Sequence, residues 1–135
     1  MVKIFIAAHG NLANSLINSV ELIVGKQKNL YAISNEKSDS LTHLQYKIKT
    51  LLSNVIDQDG VLILTDMMGG SPNNASLRML DDFKVEIISG VNLPMLLSAI
   101  SAIKNSQDIS QLADKVFTEG QKSIINIRKA LFEKK

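Results

Sequence analysis

The chain has 135 residues, 45% of them apolar, with 15 basic and 13 acidic side chains, a formal charge of +2 and no cysteine. That length supports one domain with a real core, and the apolar fraction excludes a disordered chain. Near-balanced charge without a basic tract argues against nucleic acid as the main ligand. The missing cysteines exclude disulfides and thiolate metal sites and fit a reducing compartment.

The opening MVKIFIAAHG has a short apolar run that soon turns polar, unlike a secretory leader, so a soluble protein is expected. Val2–Ala8 reads as a first strand, ending abruptly at His9-Gly10. Leu12, Leu16, Val20 and Ile23 then recur at helical spacing, with Gly25 as a stop. A short second strand begins at Leu30. Leu41, Leu44, Ile48, Leu51 and Val55 form the next helical stripe, with Ser38 or Asp39 as its cap and His43 exposed beside it. GVLILT from Gly60 is apolar on both faces and so a central strand.

After Asp66-Met67-Met68-Gly69-Gly70, the pair Ser71-Pro72 opens a third helix, serine as the cap and proline in its first turn. VEIIS from Val85 is a fourth strand. The uncharged run from Ile87 to Ile103 approaches membrane-spanning length, but Gly90, Asn92 and Pro94 break it, which suits a strand, a turn and a short helix. A last helix is expected from about Ser110 to Lys129, with Leu112, Val116 and Phe117 inward. The terminal RKALFEKK reads as a solvated helical tail.

Alternating strands and helices require crossover connections and a mainly parallel sheet with helices on both faces, a doubly wound α/β fold. Neither a dinucleotide-binding glycine motif nor a P-loop is present. In such sheets ligands bind beyond the carboxyl ends of the strands where the order reverses. An order of 2-1-3-4 would bring His9 opposite the loop Asp66–Ser71. A carboxylate holding one imidazole nitrogen leaves the other as a nucleophile. Gly69-Gly70 lets backbone amides approach an anion, and Ser71 adds a hydroxyl at a helix start. The expected chemistry is phosphoryl transfer through His9, with Asp66 orienting it and Gly69, Gly70 and Ser71 holding the phosphoryl group. No metal and no cofactor are called for.

AAHGNLA, GVLILTDMMGGSPNNASLRML and EIISGVNLPML, with their spacing from Met1 to about Leu97, resemble the IIA component of the mannose-family sugar phosphotransferase system. This family spans mannose, fructose, sorbose and N-acetylgalactosamine systems. The resemblance implies a single IIA domain over residues 1–135, a cytoplasmic phosphocarrier reaching the inner face of the membrane through its transporter complex. It implies that HPr donates to Nε2 of His9 and that a histidine of the IIB component accepts, while IIC and IID carry the sugar. It also implies a four-stranded parallel sheet in the order 2-1-3-4, an added antiparallel edge strand exchanged between subunits, and a homodimer. Two positions depart from the family pattern: Ala8 stands where relatives carry serine or threonine, and Met67-Met68 where a larger or aromatic residue is common. A phosphohistidine phosphatase or mutase would show an arginine before H-G and more arginines, whereas this chain has only Arg78 and Arg128. A non-catalytic binding module is the other alternative.

Overall fold

The computed structural model describes residues 1–105 and 108–133. Four strands, β1 (Lys3–His9), β2 (Leu30–Asn35), β3 (Val61–Thr65) and β4 (Val85–Ser89), form one sheet. Its order is β2-β1-β3-β4 and every neighbouring pair is parallel, as expected. The helices are α1 (Leu12–Val24), α2 (Leu41–Val55), α3 (Ser71–Leu77), α4 (Met79–Asp82), α5 (Leu93–Ala102), α6 (Ile109–Lys122) and α7 (Ile127–Phe132). An added antiparallel edge strand is not among the described elements.

The two central strands are apolar on both sides because both sides are covered. Strand pleating sends Ile4, Ile6 and Ala8 of β1, with Leu62 and Leu64 of β3, to a core shared with Val20, Leu96, Leu112 and Val116. Phe5 and Ala7, with Val61 and Ile63, face the opposite core of Leu44, Ile48, Leu52, Ala75 and Met79. His9 continues the Phe5–Ala7 series, so the pleat puts it on the side of α2 and α3. The register pairs Ala7 with Thr65, so β1 runs two residues past its last β3 partner and presents His9 at the rim.

Several helical details differ from the sequence expectation. In α1 the inward positions are Ala13 and Val20, with Leu16 and Ile17 packed behind them. Leu12 and Ile23 are exposed: eleven residues is close to three whole turns, so they share one side of the helix, turned away from Ala13 and Val20. Ser40, not Ser38 or Asp39, caps α2 by accepting the His43 N–H, and Asp39 is drawn into ion pairs instead. Gly70 occupies the cap position of α3, so Ser71 is its first helical residue and makes no capping bond.

The expected last helix is two. Ser123 ends α6, its hydroxyl donating to the Gly120 carbonyl and accepting from Asn92. Ile124 and Ile125 follow outside either helix, and Asn126 caps α7. Adjacent β-branched residues favour that break. Phe117 is half-exposed, and the inward face of α6 carries Leu112, Ala113, Val116 and Gly120. The final two residues of the expected basic tail lie outside the described residues. Among the described residues no helix is long and apolar enough to cross a membrane.

Candidate functional site

The site lies where β1 and β3 end side by side and their following segments diverge, α1 crossing one face of the sheet and α3 the other. One carboxylate oxygen of Asp66 accepts from the His9 backbone N–H at 2.9 Å and sits 2.6 Å from Nδ1 of the His9 ring. The other oxygen accepts from the Met67 N–H at 2.9 Å. Asp66 therefore ties the end of β1 to the end of β3 while setting the imidazole's orientation.

Burial alone would raise the carboxyl pKa of Asp66. The hydrogen bonds from the His9 backbone and ring and from Met67 outweigh that and hold it below the usual carboxylate value. An ionised carboxylate can only accept, so the nitrogen facing it, Nδ1, carries the proton. The lone pair of the neutral ring is then on Nε2. The His9 side chain is 49% exposed and that of Asp66 11%, so the ring is open to solvent while the carboxylate that orients it is sheltered.

The loop Met67–Gly70 passes beside the ring. Gly69 has φ of +85°, a left-handed conformation that suits glycine. Gly70 is needed for space: a Cβ there would lie 2.9 Å from Cε1 of His9. The Gly70 N–H reaches the Met67 carbonyl at a long 3.4 Å. The amides of Met68, Gly69 and Ser71 donate to no protein group among the described residues. Met67 and Met68 are exposed beside Asp66, as is Leu12 just beyond His9.

The structure thus brings His9, Asp66, Gly69, Gly70 and Ser71 to one rim. His43 stands apart from them on α2, exposed as expected, with Nδ1 2.7 Å from Asp39. Ala8 is fully buried, so it offers the rim nothing. Three further residues of the GVLILTDMMGGSPNNASLRML segment, assigned no role from the sequence, build the loop. Thr65 Oγ1 donates to Asn73 Oδ1 at 2.9 Å in a buried pair, and Asn74 Nδ2 donates to the Gly69 carbonyl at 3.3 Å. Beyond their place in that segment, their sequence signal is a polar residue closing an otherwise apolar strand and two asparagines in the first turn of a helix.

Order 2-1-3-4, with an oriented imidazole and a glycine loop at the point where the order reverses, defines a doubly wound α/β protein with a candidate crevice at the topological switch point. Residues 3–117 match the family model described as PTS system fructose IIA component. Over 102 residues, covering 75% of this chain and 70% of the relative, the chain is 33% identical to the PTS system fructose-specific EIIA component of Bacillus subtilis (strain 168). It is 30% identical over 134 residues to the PTS system mannose-specific EIIAB component of Escherichia coli (strain K12), covering 98% of this chain and 42% of that longer protein. The crystal structure of phosphotransferase system component EIIA from Streptococcus agalactiae superposes with a TM-score of 0.85 at 33% identity, covering 96% of this chain and 99% of that one. The chain belongs to the IIA family of the mannose-type sugar phosphotransferase systems. Proteins of this family are phosphotransferase components of sugar uptake.

Proposed function

We propose that the chain, as a single domain over residues 1–135, is a phosphocarrier. In this reading it accepts a phosphoryl group from phospho-HPr on Nε2 of His9 and passes it to a histidine of the IIB component. The observation that carries the reading is the 2.6 Å contact between His9 Nδ1 and Asp66, which leaves Nε2 free on a half-exposed ring.

The lone pair of Nε2 attacks the phosphorus of the donor phosphohistidine. The new N–P bond forms as the donor's N–P bond breaks, and that bond's electron pair returns to the donor ring. Positive charge develops on the His9 imidazole and is offset by the Asp66 carboxylate. The amides of Gly69 and Ser71, with the Ser71 hydroxyl, face the transferred oxygens. Gly70 contributes chiefly by letting the ring lie close to the loop. Catalysis is then mainly positioning and charge stabilisation, and neither metal nor cofactor is called for. Transfer to IIB is the same step in reverse.

The site's shallowness fits this role. A carrier must admit another protein's histidine, and His9 meets solvent while the strands behind it are dry. Exposed Met67 and Met68 offer adaptable apolar contact to two different partners. A homodimer with an exchanged edge strand is supported by the outer edge of β4. That strand has one neighbour, β3, among the described strands. Beside it lie exposed Phe117 of α6 and Ile124, and exposed Ile124, Ile125 and Ile127 make a β-branched stretch at the α6–α7 break. With no membrane-spanning helix among the described residues, a cytoplasmic protein that meets the membrane through IIC and IID is the matching setting.

Incubation with phospho-HPr should give an acid-labile, base-stable adduct that His9→Ala abolishes, and the adduct should discharge onto IIB. Release of inorganic phosphate from small esters would favour a phosphatase instead.

A further inference from the structure

The loop that faces His9 is laced at both ends to the first turn of α3. At its start, Thr65 directly precedes Asp66, and its hydroxyl donates to Asn73 Oδ1 at 2.9 Å with both residues buried. At its far end the Gly69 carbonyl accepts from Asn74 Nδ2 at 3.3 Å. The Thr65 carbonyl also receives the Gly90 and Val91 N–H groups at 2.9 and 3.0 Å, so the same residue anchors the β4–α5 turn.

A buried hydroxyl–carboxamide pair adds modest net stability, and an apolar pair of the same shape can do as well. What the pair adds is direction. Apolar side chains let a helix slide against a strand, whereas a single buried hydrogen bond fixes its register. A slide of α3 would carry Ser71 and the Gly69–Ser71 amides away from Nε2, while the His9–Asp66 contact, held by β1 and β3, would stay. The second bond acts on one peptide plane. The Gly69 carbonyl and the Gly70 N–H share that plane, and the N–H has only the long 3.4 Å contact to Met67. Asn74 therefore adds a second restraint on how the plane sits beside the His9 ring.

We propose that Asn73, through Thr65, and Asn74, through Gly69, are positioning residues that hold the phosphoryl-facing loop at its working distance from His9. This rests on the phosphocarrier reading above. It is tested with Thr65→Val/Asn73→Leu, which removes both partners and leaves no lone buried polar atom, and with Asn74→Ala. Thr65→Ser, which keeps the hydroxyl, is the conservative rescue. Each variant is melted thermally, and its KM and kcat with phospho-HPr are measured.

Both disruptive variants should stay folded, keep the donor KM and lose kcat by about 10-fold, the scale of a sub-ångström misplacement. Thr65→Ser should run close to wild type. Nitrogen chemical shifts of the His9 ring should not move, because Asp66 still holds it. Backbone amide order parameters at Met68–Ser71 should fall. Wild-type kcat in folded variants, or a loss that merely tracks the unfolded fraction, would overturn the proposal. If the wild-type chain took no phosphoryl group, the functional reading would fail on its own. Unchanged order parameters at Met68–Ser71 in the variants would still refute the positioning role.

Discussion

The chain has two histidines, and each is paired with an aspartate in nearly the same way. His9 Nδ1 is 2.6 Å from Asp66 and His43 Nδ1 is 2.7 Å from Asp39, with side chains 49% and 55% exposed. What differs is everything around the pair. Asp66 spends its oxygens on the His9 ring, the His9 backbone and Met67, and among the described residues no other cation pairs with it. Asp39 is shared with the Lys47 ammonium at 2.7 Å and accepts the Glu36 N–H. His9 ends a buried strand against a glycine loop with free amides, whereas His43 sits on the first turn of α2 with its own N–H spent on Ser40. A His–Asp pair alone therefore defines no phosphoryl site. In the phosphocarrier reading the adjoining glycine loop makes the difference, whereas the Asp39 cluster joins α2 to the end of β2, where Lys47 reaches the Ser34 carbonyl.

The comparison can be broken most forcefully at the orienting carboxylate. Asp66→Asn keeps the shape but offers the ring a weaker, neutral partner, and transfer from phospho-HPr should slow by about 100-fold with the fold intact. Unchanged transfer rates would mean that the carboxylate orients nothing. Gly70→Ala should come next, since its new Cβ meets Cε1 of His9 at 2.9 Å and the ring or loop must shift. A loss of about 10-fold in transfer is expected, and a wild-type rate would show the close approach to be incidental.

At the other pair the effect should be on stability rather than transfer. The Lys47 ammonium, helped by the Glu36 N–H and the His43 ring, pulls the Asp39 carboxyl from 3.8 to about 2. Its folded pKa is depressed, so its stabilisation is present above the unfolded value and is lost as pH falls through about 2. Asp39→Asn should lower the urea midpoint at pH 7, and the gap to wild type should close as the pH drops through that window, while transfer stays normal. A gap independent of pH would point to packing instead of charge. Ser71→Ala should be the mildest change. Because Ser71 makes no capping bond, its removal should alter stability by less than about 0.5 kcal/mol, so any slowing of transfer reports its contact with the phosphoryl group. A loss on the scale of a helix cap, about 1 kcal/mol, would restore the capping role.

Strand–helix alternation over the whole chain made the parallel sheet legible, whereas the order 2-1-3-4 came from the family resemblance, and only with that order did the switch-point rule set His9 against Asp66. Val61–Thr65 read as central from its unbroken apolarity, and it is buried at every position. Details set by single contacts were not legible. Ser40 outcompetes Asp39 as a cap because Asp39 has a better partner in Lys47, a residue eight positions away that no local pattern couples to it. The α6–α7 break depends on the Ser123 hydroxyl finding both Gly120 and Asn92. Asn73 and Asn74 look alike in the sequence, and only the fold sends one inward to Thr65 and the other outward to Gly69.

The central claim is that cargo rides on one nitrogen of one ring. Nitrogen–phosphorus correlated NMR of the chain after incubation with phospho-HPr tests it most directly. The account predicts a single phosphorus resonance coupled to Nε2 of His9, with the Nδ1 proton still shifted by its bond to Asp66. Coupling to Nδ1 of His9, or a phosphoryl group found on His43, would contradict it.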